Sequence, residues 1–131
     1  MKEPQILFLD DDLTRTRVFW DEMGARSDFK FKWVETADQA IEQLSKQKWD
    51  IICLDHDLGG KVFQDSAKGT GYEVAEFLSK MNPKNDPAIY IHSWNPIGAE
   101  NMRNILKGQA FYVPFGLDYV KFIISYAESL I

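Results

Sequence analysis

Five short apolar runs alternate along the chain with longer stretches in which apolar residues recur every three or four positions. The short runs have the length of buried β-strands, and the longer stretches have the periodicity of amphipathic helices. The predicted strands are Ile6–Leu9, Phe29–Val34, Ile51–Leu54, Ala88–Ile91 and Ala110–Val113. Because each strand is followed by a helix, the pattern predicts an α/β fold, a five-stranded parallel sheet between two layers of helices.

The predicted helices begin and end at recognisable residues. They are Leu13–Met23, a helix of about ten residues after Thr36, Val74–Met81, a helix from Pro96 to Gly108, and Leu117–Leu130. Residues 36–39, Thr-Ala-Asp-Gln, are typical of a capping box. The threonine hydroxyl can accept the backbone N–H of the third helical residue, and the side chain of Gln39 can reach back to the start of the helix. Asn95 followed by Pro96 is typical of an N-cap and the first helical position.

Polar residues follow three of the predicted strands at their carboxyl ends. These residues are Asp10, Asp11 and Asp12 after strand 1, Asp55, His56 and Asp57 after strand 3, and His92, Ser93, Trp94 and Asn95 after strand 4. In a sheet with strand order 2-1-3-4-5 these strands are neighbours, and ligands bind outside their carboxyl ends. Clustered carboxylates repel one another unless a cation lies among them, and oxygen ligands favour Mg²⁺, Mn²⁺ or Ca²⁺. Asp12 and Asp57 can instead be helix caps or loop residues.

The composition narrows the classes of function. The 131 residues predict one domain, 1–131, and the 45% hydrophobic content is ample for a single core. A net charge of −5 and a pI near 5.0 argue against binding to duplex DNA, which needs a basic surface. The one cysteine, Cys53, lies in a predicted strand, where we expect a small buried residue. No apolar stretch reaches the roughly 18–20 residues of a membrane span, and the first residues lack a signal-peptide core, so we expect a cytoplasmic protein.

The motifs at the strand ends resemble, in order and spacing, those of the receiver domain of two-component response regulators. The matching segments are ILFLDDD, IICLDHDL, IHSWN and YVPFGLDYV, which span nearly the whole chain. The resemblance implies a flavodoxin-like fold, Mg²⁺ binding by Asp10 and Asp11, phosphoryl acceptance by Asp55 and a phosphoryl contact from Ser93. Receiver domains also have a lysine before the proline after strand 5, whereas this chain has Val113. Because that lysine brings positive charge to the phosphoryl oxygens, its replacement argues against phosphorelay signalling.

Several segments of the chain resemble those of a group derived from receiver domains, the cyclic-phosphate processing receiver domains. This resemblance rests on the segments LDHDLG, TGYEVAEFL and HSWNPIGAENM. The matching positions are Asp10, Asp11, Asp55, His56, Asp57, Thr70, Gly71, His92, Ser93, Asn95, Gly98, Asn101 and Met102. The resemblance implies action on cyclic phosphates in place of phosphoryl acceptance.

The same residues suit metal-dependent hydrolysis of a phosphodiester. A divalent ion held by Asp10, Asp11 and Asp55 polarises a phosphoryl oxygen and lowers the pKa of a bound water. His56 or His92, the two histidines of the chain, can exchange a proton with that water or with the leaving oxygen. Asp57 then orients an imidazole or completes the metal shell. Either histidine can instead be a hydrogen-bonded structural residue.

Candidate substrate-binding residues surround the start of the fourth helix. Gly98 is expected to leave backbone N–H groups open to a phosphate at the helix N-terminus. The further candidates are Thr70, Tyr72, Ser93, Trp94, Asn95, Asn101 and Arg103. Tyr72 and Trp94 are candidates for base stacking, although core packing also explains Trp94 and a solvated helix face explains Asn101 and Arg103. The long loop 59–71 is either a lid that brings Lys61 or Lys68 to the ligand, or a solvated loop.

Three hypotheses remain open. In the first, the protein is a phosphodiesterase that uses Mg²⁺ or Mn²⁺ and acts on a cyclic nucleotide or on the terminal cyclic phosphate of an RNA. Such an enzyme serves RNA end processing or the degradation of cyclic-nucleotide signals, including phage evasion of host defence in the host cytoplasm. In the second, it is a receiver-like module that binds a phosphorylated ligand or partner without turnover, and in the third it is a phosphoacceptor. Base, ring size and oligomeric state are left open.

Overall fold

The computed structural model describes residues 3–24, 26–58, 68–81 and 87–131. The strands are β1 (Gln5–Leu9), β2 (Lys30–Val34), β3 (Ile51–Leu54), β4 (Ala88–Ile91) and β5 (Ala110–Tyr112). The helices are α1 (Leu13–Gly24), α2 (Ala37–Lys46), α3 (Gly71–Met81), α4 (Pro96–Ile105) and α5 (Leu117–Ser129). All strand pairs are parallel, in the order β2-β1-β3-β4-β5, which confirms the predicted fold class. Within these described ranges, no helix is long and apolar enough to cross a membrane.

Alternate residues of the central strand face opposite layers of helices. Ile52 and Leu54 of β3 pack in the layer of α2, α3 and α4, whereas Ile51 and Cys53 pack in the layer of α1 and α5. All four side chains are buried, which explains the unbroken apolar run in the sequence. Cys53 is 0% exposed, as the sequence predicts, and burial raises the pKa of its thiol to about 12.

The ends of the elements follow the sequence signals with small shifts. β5 ends at Tyr112, one residue before the predicted end. Thr36 is the N-cap of α2, and its hydroxyl accepts the backbone N–H of Gln39 at 3.1 Å. The Gln39 side-chain oxygen accepts the backbone N–H of Glu35 at 2.8 Å. The capping box is therefore present, with its return bond made to the residue before the cap.

The register of the sheet brings together the residues that follow three strands. The last residues of β1, β3 and β4 lie side by side. The backbone N–H of Asp55 donates to the carbonyl of Leu9 at 3.1 Å, and that of His92 donates to the carbonyl of Leu54 at 3.0 Å. Asp10, Asp55 and His92 therefore leave the sheet at the same level, at its carboxyl edge.

Candidate active site

Two aspartates and an arginine form the centre of this edge. Asp10 and Asp55 are both almost completely buried. Arg15, in the first turn of α1, donates from Nε to Asp10 Oδ2 at 2.8 Å and from Nη2 to Asp10 Oδ1 at 3.0 Å. The same Nη2 donates to Asp55 Oδ2 at 3.1 Å. The guanidinium of Arg15 therefore bridges the two carboxylates.

His92 lies beside Asp10 and is almost completely buried. Its Nε2 is 3.0 Å from Asp10 Oδ2, its Nδ1 is 3.1 Å from the Tyr119 hydroxyl, and its ring stacks on Phe8 at a centroid distance of 4.9 Å. Burial lowers the pKa of His92 against the opposing effect of Asp10, so the imidazole is neutral. Burial also raises the pKa of Tyr119, which keeps its proton. Because Asp10 is ionised and its oxygens can only accept, the imidazole proton lies on Nε2 and is donated to Asp10.

The two carboxyl groups have opposite pKa shifts. Burial alone would raise the pKa of Asp10, but the hydrogen bonds from His92 and Arg15 outweigh it and hold this pKa well below its usual range. Burial and the negative charge of Asp10 raise the pKa of Asp55 to about 8, against the opposing charge of Arg15. Pairs of acidic groups with divergent pKa values are typical of catalytic sites, although structural ion-pair networks also produce them.

The donors at this centre fit a hard divalent ion. One ligand atom from each of Asp10, Asp55 and His92 lies within 4.8 Å of the other two. Asp11, which is half-buried, adds a third carboxylate directly after Asp10. Carboxylate oxygens favour Mg²⁺ or Mn²⁺, whereas the His92 nitrogen nearest the centre already bonds to Asp10. Asp10, Asp11 and Asp55 are therefore the residues that would hold the ion.

A second polar cluster joins the end of β3 to the start of α4. His56 Nδ1 is 2.7 Å from Asp57 Oδ1, and Asn95 Nδ2 donates to the same oxygen at 3.1 Å. The His56 side chain is 0% exposed, whereas that of Asp57 is 14% exposed. Asp57 is therefore the member of this pair that reaches solvent.

Gly98 lies in the first turn of α4, between the Asn95 cap and the His56 ring. Its N–H donates to Asn95 Oδ1 at 3.0 Å, which makes Asn95 the N-cap of α4 as predicted. The cap takes the N–H of Gly98 itself, so an anion at this helix start would have to use other backbone N–H groups. A Cβ at position 98 would lie 2.5 Å from His56 Cγ, so glycine permits the close approach of α4 to the imidazole.

Three candidate ligand-binding residues lie close to these clusters. Thr70 and Ser93 are buried, and Ser93 Oγ accepts the backbone N–H of Asn95 at 3.0 Å. Trp94 is 59% exposed, and the Cζ atom of Arg15 lies 4.9 Å from the centre of its ring. Trp94 is therefore an exposed residue next to Arg15 and not a core residue.

The other candidates lie on separate surfaces of α3 and α4. Tyr72 and Asn101 line a groove of about 560 Å³. Arg103 pairs with Glu100 at 3.2 Å and lines a different groove, beside Phe111. The structure therefore does not bring Arg103 to the surface that holds Asn101. Lys68 is exposed, and the prediction of a lid with Lys61 falls on residues 59–67, outside the described ranges.

Three residues of the site were not predicted from the sequence: Arg15, Trp33 and Tyr119. The Trp33 indole N–H, from β2, donates to the backbone carbonyl of Asp10 at 2.7 Å. Trp33 and Tyr119 come from elements without a polar motif, so their neighbours follow only from the packed structure. Arg15 has a signal in the sequence, because it is a cation in the first turn of the helix that follows the acidic run.

Both the sequence and the fold of this chain are similar to known receiver domains. The sequence model of the family "Cyclic-phosphate processing Receiver domain" matches residues 5–108. No curated protein matches the chain in sequence. The non-phosphorylated HemR receiver domain from Leptospira biflexa is 21% identical, with a TM-score of 0.71 over 98% of this chain and 96% of that chain.

Two further solved structures have the same fold. The response regulator TrrA from Thermotoga maritima, in complex with Mg²⁺ and BeF, is 18% identical with a TM-score of 0.69 over 95% of this chain and 98% of that chain. A CheY-like receiver domain protein from Methanospirillum hungatei is 13% identical with a TM-score of 0.71 over 98% of this chain and 96% of that chain. At these identities the three structures establish the receiver fold alone.

Proposed function

This chain belongs to the family of cyclic-phosphate processing receiver domains, and from that membership we propose that it is a metal-dependent phosphodiesterase that hydrolyses a cyclic phosphate. The observation that carries the proposal is the convergence of Asp10 and Asp55 at one buried centre, in a chain with Val113 at the position of the receiver lysine. The carboxylates suit a divalent ion. Val113 does not supply the positive charge that the lysine of a receiver domain brings to a phosphoryl group on the acceptor aspartate.

Asp10, Asp11 and Asp55 would hold Mg²⁺ or Mn²⁺. When bound, such an ion polarises a phosphoryl oxygen and lowers the pKa of a bound water. His92 acts on this site through Asp10, because the bond between Nε2 and Oδ2 fixes the orientation of the carboxylate. Since both ring nitrogens of His92 have partners and the side chain is buried, we assign it a positioning role.

We assign proton transfer to the pair of His56 and Asp57. The imidazole is enclosed and bonds to Asp57 Oδ1, and Asn95 donates to the same oxygen. These two contacts hold the carboxyl group in one orientation while leaving it partly exposed at the rim of the site. An oriented, solvent-accessible group of this kind can exchange a proton with an attacking water or a leaving oxygen.

The proposed substrate is a small anionic phosphate, either a cyclic nucleotide or the terminal cyclic phosphate of an RNA. The exposed Trp94 ring offers a surface on which a base can stack, next to the acidic centre. Ser93 directly precedes it and lies at the end of β4. Within the part of the chain that the structure describes, Arg15 is the cation in contact with both aspartates, and together with a bound ion it would supply positive charge for an anionic substrate.

The test is a hydrolysis screen with Mg²⁺ or Mn²⁺ against 2′,3′-cyclic mononucleotides, 3′,5′-cyclic mononucleotides, and cyclic di- and trinucleotides, read by liquid chromatography. Asp55→Asn removes one proposed ligand of the ion. Asp21→Asn is the matched control, because Asp21 is an exposed residue of α1. We expect product from one substrate class with wild type and Asp21→Asn. We expect none with Asp55→Asn or with a chelator.

A second candidate function is a module that binds a phosphorylated ligand without turnover. The enclosure of both imidazoles favours it, because neither histidine side chain is exposed to a ligand in this conformation. Ligand binding without product from any class would support this module and contradict the phosphodiesterase. Full activity in Asp55→Asn would instead contradict the site assignment. A stable beryllofluoride adduct on Asp55 would support a phosphoacceptor.

A further inference from the structure

The guanidinium of Arg15 lies where a cation between the two aspartates would lie. Its Nη2 is 3.0 Å from Asp10 Oδ1 and 3.1 Å from Asp55 Oδ2, and its Nε is 2.8 Å from Asp10 Oδ2. Only 16% of the Arg15 side chain is exposed. The protein therefore supplies an internal counterion to the acidic centre.

The contacts of Asp10 leave no place for a second cation while Arg15 is bound. A carboxylate has about four lone-pair directions, two on each oxygen. Asp10 Oδ1 accepts the backbone N–H of Asp12 at 2.9 Å and Nη2 of Arg15, and Oδ2 bonds to Nε of Arg15 and Nε2 of His92. A divalent ion that takes an oxygen of Asp10 must therefore replace Arg15, since its other partners are the adjacent backbone and a buried ring.

The backbone of Arg15 is fixed, so only its side chain is free to turn. Asp12 Oδ1 accepts the Arg15 N–H at 2.9 Å and caps the first turn of α1. The Trp94 ring lies on one side of the guanidinium, with Cζ 4.9 Å from the ring centre, and this ring is 59% exposed. A guanidinium stacked on an indole remains attractive to anions, because the cation–π contact leaves its N–H groups available.

We propose that Arg15 is an exchangeable cation: it neutralises Asp10 and Asp55 when no divalent ion is bound, and when an ion binds it turns along Trp94 and binds the phosphoryl oxygens of the ligand. The proposal rests on the divalent-ion site of the proposed function. It assigns to Arg15 the positive charge that Val113 does not provide at the end of β5. Bidentate guanidinium–phosphate contacts suit this role better than the single point charge of a lysine.

The experiment measures Mg²⁺ binding, and then inorganic phosphate binding at saturating Mg²⁺, by isothermal titration calorimetry. The variants are Arg15→Gln and Arg17→Gln. Arg17 is the matched control, because it is an exposed arginine two positions further along α1. We expect Arg15→Gln to bind Mg²⁺ about tenfold more tightly than Arg17→Gln, because no internal cation is displaced, and to bind phosphate about tenfold more weakly.

Opposite changes in the two affinities support the proposal. Equal Mg²⁺ affinities in the two variants, or Mg²⁺ binding to neither, overturn it. Unchanged phosphate affinity in Arg15→Gln overturns the contact with the ligand. If Arg15→Gln does not fold, Arg15→Met replaces it, because a methionine keeps an unbranched side chain without the charge, and the same two changes in affinity are expected. Absence of turnover in the hydrolysis screen is a separate result, which contradicts the phosphodiesterase without touching the Mg²⁺ comparison.

Discussion

Asp10 and Asp55 follow neighbouring strands and are similarly buried, yet their pKa values move in opposite directions. The difference lies in the donors that each receives. Asp10 bonds to His92, the backbone of Asp12 and two nitrogens of Arg15, whereas Asp55 shares one of those nitrogens and accepts the backbone N–H of His56. Asp10 has more hydrogen-bond donors and is therefore the ionised group of the pair. Its negative charge then disfavours a second negative charge on Asp55.

This difference predicts how the stability of the metal-free protein depends on pH. The pKa of Asp55 is about 8 in the folded protein and about 3.9 in an unfolded chain. Between these values the folded state holds more protons than the unfolded state, so the free energy of unfolding falls as pH rises. The slope from this group is at most about 1.4 kcal/mol per pH unit. Chemical denaturation at pH 5 to 8 measures it.

Asp55→Asn is the comparison that isolates this group. The variant cannot ionise at position 55, so we expect its stability to change less between pH 5 and 8 than that of wild type. His92, whose pKa is lowered, contributes with the opposite sign in both proteins and cancels in the difference. Equal pH slopes for the two proteins would show that Asp55 ionises normally.

Gly98 is the second residue at which a single change has a defined expectation. A Cβ there would lie 2.5 Å from His56 Cγ, so Gly98→Ala forces the imidazole or α4 to move. The clash costs about 1–3 kcal/mol and exceeds the gain of about 1 kcal/mol from the helix propensity of alanine, so we expect a net loss of stability in urea denaturation. Gly24→Ala is the control, because Gly24 also lies in a helix and a Cβ there would make only an ordinary contact of 3.6 Å with Trp20, so we expect no loss of stability. Equal stability of the two variants would contradict the tight packing of His56.

At the scale of elements, α2 begins where its capping box predicts. Thr36→Ala removes the acceptor for the Gln39 N–H, and we expect a loss of about 1 kcal/mol in the free energy of unfolding. Thr36→Ser keeps a hydroxyl at the cap, so we expect it to retain most of that stability. A loss of the same size in both variants would mean that the threonine methyl group, and not the cap, is responsible.

The start of α1 shows why the site was predicted only in part. The acidic run and its place after β1 follow from the sequence pattern, because the carboxyl ends of parallel strands share one edge. The reach of the Arg15 side chain back to both carboxylates depends on its rotamer and on the cap by Asp12, which no periodicity encodes. The burial of His92 likewise depends on Phe8 and Tyr119, which come from opposite ends of the chain.

At the scale of the whole molecule, the fold was predictable because each local signal agrees with the others. The continuous apolar run of β3 requires helices on both faces, and the half-exposed pattern of β2 suits an edge. Strand order and layers then follow from right-handed crossovers and the resemblance to receivers. The close contact of α4 with His56 did not follow, because the sequence shows Gly98 but not the ring against it.

An ion bound at the proposed site would stabilise the whole molecule by mass action. An ion that binds only the folded state raises the free energy of unfolding by about 2.7 kcal/mol at 100 times its Kd. We expect the melting temperature of wild type to rise steadily with the logarithm of the Mg²⁺ concentration. Asp55→Asn, which lacks a proposed ligand, should show a much smaller rise, and Asp21→Asn should match wild type. An equal rise in all three proteins would place the Mg²⁺ effect elsewhere.

Cys53 gives the molecule a built-in chemical reporter of its own opening. It is the one cysteine of the 131 residues, and it lies in β3, between β1 and β4, with 0% exposure. Alkylating reagents react with an accessible thiolate, so labelling requires the layer of α1 and α5 to move away from the sheet. The alkylation rate of the wild-type protein therefore reports how readily the structure around Cys53 opens. If Mg²⁺ binds at the acidic centre as proposed, the ratio of the alkylation rate in chelator to the rate in saturating Mg²⁺ measures how far the ion suppresses this opening.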